Sequence, residues 1–201
     1  MEYLSAQGYP VPEVLEVDAS GRDMVMERIR GVTMVESVKR APWTLGRRAR
    51  ELAELHNRLH VIDAPDFLRT AAIGHGTALV HLDLHPLNVL IGPRGPVVID
   101  WTNAARGDPM VDVVVAWVLI AAGQVPTGRL EGLLTSAARG VLVRSFVACF
   151  DPSSLVAHAR EVVTWKVCDP HMSNAEIAAM WKLVARAEGQ SPATRTEAGA
   201  P

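Results

Sequence analysis

The stretch from His81 to Asp112, HLDLHPLNVLIGPRGPVVIDWTNAARGDPMVD, constrains this chain more than any other. Two short apolar runs, Val89-Leu90-Ile91 and Val97-Val98-Ile99, flank the turn formers Gly92-Pro93-Arg94-Gly95-Pro96. That pattern predicts a β-hairpin. Centred on Arg94, the hairpin pairs Ile91 with Val97 and Val89 with Ile99, and it sets Asn88 opposite Asp100. Opposed residues of an antiparallel pair stand about 4.5–5.5 Å apart at Cβ. An amide oxygen and a carboxylate then aim at one point, as a hard, oxygen-seeking cation such as Mg²⁺ requires. Asp83 precedes Asn88 in the loop entering the first strand, close to that point.

An Asp-x-x-x-x-Asn segment, a hairpin and then an Asp is the layout of kinase-like phosphotransferases. Here the words are His81-Leu82-Asp83-Leu84-His85-Pro86-Leu87-Asn88, Ile99-Asp100-Trp101 and Gly107-Asp108-Pro109-Met110-Val111-Asp112. They closely resemble those of the aminoglycoside phosphotransferase/choline kinase-type family. The resemblance implies an α+β, protein kinase-like fold: mostly the helical C-terminal lobe, with a catalytic β-hairpin and only a remnant of the N-terminal β lobe. It implies that the γ-phosphoryl group of ATP moves to the hydroxyl of a small molecule. In that scheme Asp83 is the general base that orients the attacking hydroxyl, and Asn88 and Asp100 hold Mg²⁺ on the nucleotide phosphates. Gly8-Tyr9-Pro10-Val11-Pro12 and Val25 to Gly31 resemble the family's path into the interlobe hinge. The adenine edge would bind the main chain there, at Met26, Glu27, Arg28 and Ile29. His81 and Asp112 would support the catalytic loop from below, Asp108 would cap a helix, and Trp101 would pack against the lobe.

Other readings of the same residues stay open. Outside the pattern, Asn88 and Asp100 are ordinary turn residues and Asp83 is a loop aspartate. His81, Asp83 and His85 alternate, so on a strand they would share one face, a set suited to a metal-dependent hydrolase. His56 and His60 lie one helical turn apart and could share a metal, but no third ligand accompanies them, and core or surface histidines are the expected reading.

Composition narrows the classes. A chain of 201 residues is one large domain or two small ones. With 49% apolar and 21% charged residues it reads as globular, and a net charge of −2 gives no footprint for nucleic acid. The longest apolar stretch, Val113 to Gly123, falls well short of the roughly 20 residues of a membrane span and reads as a buried helix. Cys149 and Cys168, with no basic-then-apolar leader, read as buried, reduced thiols of a cytoplasmic protein.

Along the chain, the sequence predicts a helix ending near Gln7, then strands at Val14–Val17 and Asp23–Arg28 forming a hairpin. An amphipathic helix follows from Trp43 to Leu59 on the stripe Leu45, Ala49, Leu52, Leu55 and Leu59, and a loop from Asp63 to Gly76. Asp108-Pro109 starts a helix that runs to about Ala122. Three more span Leu130–Phe150, Ser153–Cys168 and Ser173–Glu188. The expected division is residues 1–31 as N-lobe remnant and hinge, 32–188 as the catalytic lobe, and 189–201 as a disordered tail.

A usual member of the family also grips the phosphates with a Gly-rich loop and a strand Lys paired to a helix Glu, all before the hinge. Residues 1–38 contain no Lys, and Gly8, Gly21 and Gly31 form no Gly-x-Gly. The resemblance therefore reads as an N-terminally truncated member that binds ATP weakly and turns over slowly or not at all. A non-catalytic remnant acting as a binding protein is the alternative, and a metal-dependent hydrolase a third reading. An uncovered hinge hairpin would be an open edge inviting a homodimer.

Overall fold

The computed structural model describes residues 1–21, 23–123 and 129–189, with residues 129–135 described by their backbone alone. The elements run α1 (Glu2–Ala6), β1 (Val14–Val17), β2 (Met24–Met26), β3 (Val32–Thr33), α2 (Met34–Arg40), α3 (Leu45–His60), β4 (Ala78–Val80), β5 (Val89–Gly92), β6 (Gly95–Val98), β7 (Ala105–Gly107), α4 (Pro109–Ala122), α5 (Arg129–Val147), α6 (Pro152–Lys166) and α7 (Asn174–Gly189). Pro42–Thr44 and Trp101–Asn103 are single 3₁₀ turns.

Helix α4 is the axis of the molecule. Asp108 caps it, accepting a 2.7 Å hydrogen bond from Met110 N, and Pro109 takes the first helical position, where a missing N–H costs nothing. Its run of Val, Ala, Trp and Ile carries no polar face, so it is stable only when covered all round. Helices α3, α5, α6 and α7 all pack against it. Val111, Val113, Val114, Val115, Ala116 and Val118 are all buried. Full burial of a Val-sized side chain contributes about 1.5–3 kcal/mol. Helix α3 buries the predicted stripe of Leu45, Ala49, Leu52, Leu55 and Leu59. Its start is displaced from the expected one, because Trp43 belongs to the 3₁₀ turn and stands almost fully exposed.

Three small antiparallel sheets decorate this bundle: β1-β2, β3-β5-β6 and β4-β7. The hairpin of the central words exists, but its register differs from the expected one by one residue. Gly92 pairs with Gly95, Leu90 with Val97 and Val89 with Val98. The loop is the two residues Pro93-Arg94, not five residues centred on Arg94. Pro93 is confined to negative φ and cannot open the mirror-image turns usual in tight hairpins. Gly95 takes the left-handed step instead, at φ 106°. Asn88 consequently faces Ile99, whose N–H donates to Asn88 O at 3.0 Å, and Asp100 lies one residue beyond.

Strand β3 pairs with β5, Val32 against Ile91, and so ties the exit of the first hairpin to the central one. The join is close: a Cβ on Gly31 would stand 2.5 Å from Ile91 O. Helix α2 begins at Thr33, whose hydroxyl accepts from Glu36 N at 3.1 Å. Of the expected tail at residues 189–201, Gly189 is the last residue of α7 and the rest lies outside the described residues, as does most of the expected break after Gly123. Both cysteines are exposed rather than buried. Each sits near the C-terminal end of a helix and donates its thiol to the carbonyl four residues back. Among the described residues no helix is long and apolar enough to cross a membrane.

Candidate active site

Three elements converge on the loop from His81 to Asn88: α4 below it, α3 behind it, and the β5–β6 hairpin leading out of it. Asp112 lies one turn into α4 and is fully buried. Its carboxylate accepts from His81 N at 3.1 Å, from Leu82 N at 2.6 Å and from His60 Nε2 at 2.9 Å. Burial opposes its ionisation. The hydrogen bond from His60 and the nearby His60, His56 and His81 outweigh that and hold the carboxyl below the usual carboxylate range. Leu82 has φ 60°, a left-handed conformation that costs a branched, bulky residue roughly 1–2 kcal/mol. The bond from Leu82 N to Asp112 is what holds it there.

The histidines around this carboxylate have separate tasks. His81 Nε2 donates to Ile99 O at 3.1 Å, fastening the loop to the end of the hairpin, and its ring stacks 4.6 Å from Trp101. Trp101 in turn donates to Val98 O and meets Tyr9 edge-on. His56 Nδ1 donates to Leu52 O at 2.9 Å, while its Nε2 is buried without a partner among the described residues. Its ring packs edge-on against Phe146 and Phe150. Burial drives its pKa down to about 4, so it is neutral near pH 7.

The residues singled out for chemistry lie on the open side of the loop. Asn88 Nδ2 donates to Asp83 O at 2.9 Å and to Asp83 Oδ2 at 3.1 Å. This leaves the amide oxygen of Asn88 without a role in holding Asp83. Asp100 follows Ile99, the residue bonded to Asn88. It adopts φ 62°, a conformation aspartate tolerates better than most residues, and its Oδ1 accepts from Thr102 Oγ1 at 2.9 Å. The Asn88–Asp100 pairing read from sequence is therefore not a cross-strand pair. The two residues are brought near each other through the Asn88–Ile99 hydrogen bond and the turn at Asp100.

One amide oxygen and one free carboxylate oxygen suit a hard cation that takes its remaining ligands from phosphates and water. Among the described residues no group of three His, Cys, Asp or Glu could hold a metal without such help. The alternating set His81, Asp83, His85 does not form a metal centre: His81 Nε2 is bonded to Ile99 O, and Leu82 between them is left-handed rather than extended.

The segment Met26, Glu27, Arg28 and Ile29, expected to be the hinge, continues β2 toward the join with β3. Glu27 N donates to Glu13 O at 2.8 Å, and the Glu27 carboxylate pairs with Arg94 at the tip of the central hairpin. This pair links hinge and hairpin across their outer ends. Sequence reasoning did not give His60 its task. The signal was the second histidine of the i, i+4 pair on α3, but its partner Asp112 is 52 residues away.

Residues 67–142 match the Phosphotransferase enzyme family, APH. A choline/ethanolamine kinase family protein from Mesorhizobium loti superposes with a TM-score of 0.53 at 17% identity, over 95% of this chain and 76% of that one. An amicoumacin kinase solved with AMP-PNP, Ca²⁺ and Ami gives 0.49 at 14% identity, over 96% and 76% of the two chains. A thermostable mutant of aminoglycoside phosphotransferase APH(4)-Ia, solved with AMP-PNP and hygromycin B, gives 0.47 at 16%, over 94% and 82%. No curated protein matches the chain. Residues 67–142 thus match the phosphotransferase family model, and the fold of the chain is protein kinase-like.

Proposed function

We propose that the site serves Mg²⁺- and ATP-dependent transfer of a phosphoryl group to the hydroxyl of a small molecule. The observation that carries this reading is the Asn88 side chain, which clasps Asp83 through its nitrogen and, among the described residues, makes no hydrogen bond through its oxygen. One residue thereby fixes the base and offers a metal ligand. Asp83 accepts the proton of the attacking hydroxyl late in a loose transfer, so its main work is to orient that hydroxyl. Asn88 and Asp100 would hold the Mg²⁺, which when bound neutralises charge on the phosphates. The main chain from Met26 to Ile29 would receive the adenine edge. Asp112, through Leu82, fixes the loop so that Asp83 does not reorganise during the reaction.

Within the 201 residues, positions 1–38 carry no Lys to grip the phosphates. A charge-assisted contact of that kind is worth about 1.5–3 kcal/mol, so nucleotide affinity of this chain is expected to be modest. Calorimetric titration with ATP and Mg²⁺ should still give measurable heat. In Asp100→Ala the affinity should fall at least about tenfold, roughly 1.4 kcal/mol. Absence of heat with the unaltered chain, or equal affinity in the variant, would refute the reading.

A further inference from the structure

His85 has no task in the scheme above, yet its side chain stands beside the proposed base. Its ring is only 20% exposed, and its Nε2 stands 3.6 Å from Asp83 Oδ1. Its Nδ1 accepts a hydrogen bond from Leu87 N at 3.3 Å. A nitrogen that accepts from a backbone N–H carries no proton, so in the neutral ring the proton must sit on Nε2, the atom facing Asp83. Asp83 Oδ2 is already held by Asn88. Each carboxylate oxygen is thus approached by its own N–H group, one bonded and one just outside bonding distance. Hydrogen bonds of this kind are often long before substrate is present and tighten in the reacting complex.

We propose that His85 is a positioning residue for Asp83: its Nε2–H closes onto Oδ1 and, with Asn88 on Oδ2, locks the carboxylate in the orientation that receives the substrate hydroxyl. This rests on Asp83 being the base proposed above. The same tautomer excludes His85 as the base, because Nε2 already bears a proton and Nδ1 is engaged by Leu87. It also excludes Nε2 as a metal ligand. No proton changes owner in this step; one rotation of a ring or a carboxylate makes the bond.

The test has two independent readouts. Long-range ¹H–¹⁵N spectra of the whole chain near pH 7 should show His85 neutral and protonated on Nε2. Steady-state transfer should show His85→Phe lowering kcat about tenfold, with the KM for ATP within about twofold and the melting temperature kept. His85→Gln, which can donate from its amide nitrogen to the same oxygen, should recover most of that loss. A proton on Nδ1, or a charged ring, would overturn the proposal, as would kcat unchanged in His85→Phe. If the chain transfers no phosphate at all, the reading of the site falls. The role of His85 is then decided by the tautomer and by whether Asp83→Asn shifts the His85 Nε2–H signal. A signal that does not move would count against the contact.

Discussion

The platform under the catalytic loop and the β1–β2 hairpin are built on opposite principles. At the platform one buried carboxylate collects three donors from two distant segments, and His56 and His81 beside it are fully buried. In the hairpin, Leu15, Val17, Met24, Val25 and Met26 are 46–60% exposed, so neither face is covered among the described residues. The first region is rigid because leaving any donor unmet in a dry interior is costly. The second has little holding it beyond its own ladder and the joins at its ends, and a lone two-stranded hairpin is marginal in water. The proposed base sits on the first and the proposed nucleotide contact on the second, and substitutions should affect stability very unequally.

Asp112→Ala is the strongest way to break that contrast. It strands the N–H groups of His81, Leu82 and His60 in the interior, and a loss of about 3–5 kcal/mol is expected in urea unfolding. A loss under about 1 kcal/mol would show that the loop stands without its brace.

Acid should act on the same region through His56. In the unfolded chain this imidazole titrates near its ordinary 6.5, whereas in the fold its value is about 4. Above pH 6.5 both states are neutral and the difference has no effect. Between those values the unfolded chain binds a proton that the folded chain refuses, so stability falls as pH drops, by about 3 kcal/mol in all. Asp112 adds its own loss only at lower pH, because its carboxyl is held below the usual range. Denaturant midpoints measured from pH 7 to 4 should therefore slope downward, and His56→Leu should flatten the slope. An unchanged slope would remove His56 as its cause.

At the other extreme, Val25→Lys in the hairpin should change stability by no more than about 0.5 kcal/mol. A drop comparable to that of Asp112→Ala would mean that the hairpin face is covered in solution, and that the two regions are more alike than they look.

The candidate site could be read from the sequence because its residues are close together in the chain. His81 to Asp112 carries Asp83, Asn88, Asp100 and the Asp108 cap within one run, with turn formers marking the hairpin between them. What it hid was of two kinds. Strands β4 and β7 are three residues each and pair Ala78 with Gly107 across a long separation, so neither has a periodicity to read. The hairpin register depended on the turn geometry that Pro93 permits, and a slip of one residue moved Asn88 from Asp100 to Ile99. Helix α2, by contrast, was legible and unread: Thr33 with Glu36 is a capping signal, and the hydroxyl does accept from Glu36 N. The brace on Leu82 could not be seen, because no sequence pattern announces a left-handed leucine.

The two ends of the hinge excursion return to one place. Pro10 O accepts from Val98 N on the way out, and Gly31 closes against Ile91 on the way back. Both anchors lie on the β5–β6 hairpin, and Tyr9, just before the first, is bonded to Leu55 O on α3. In topological terms residues 11–30 are a side loop, entered and left through a single doorway. A cut within it leaves both stumps fastened to the body that carries Asp83.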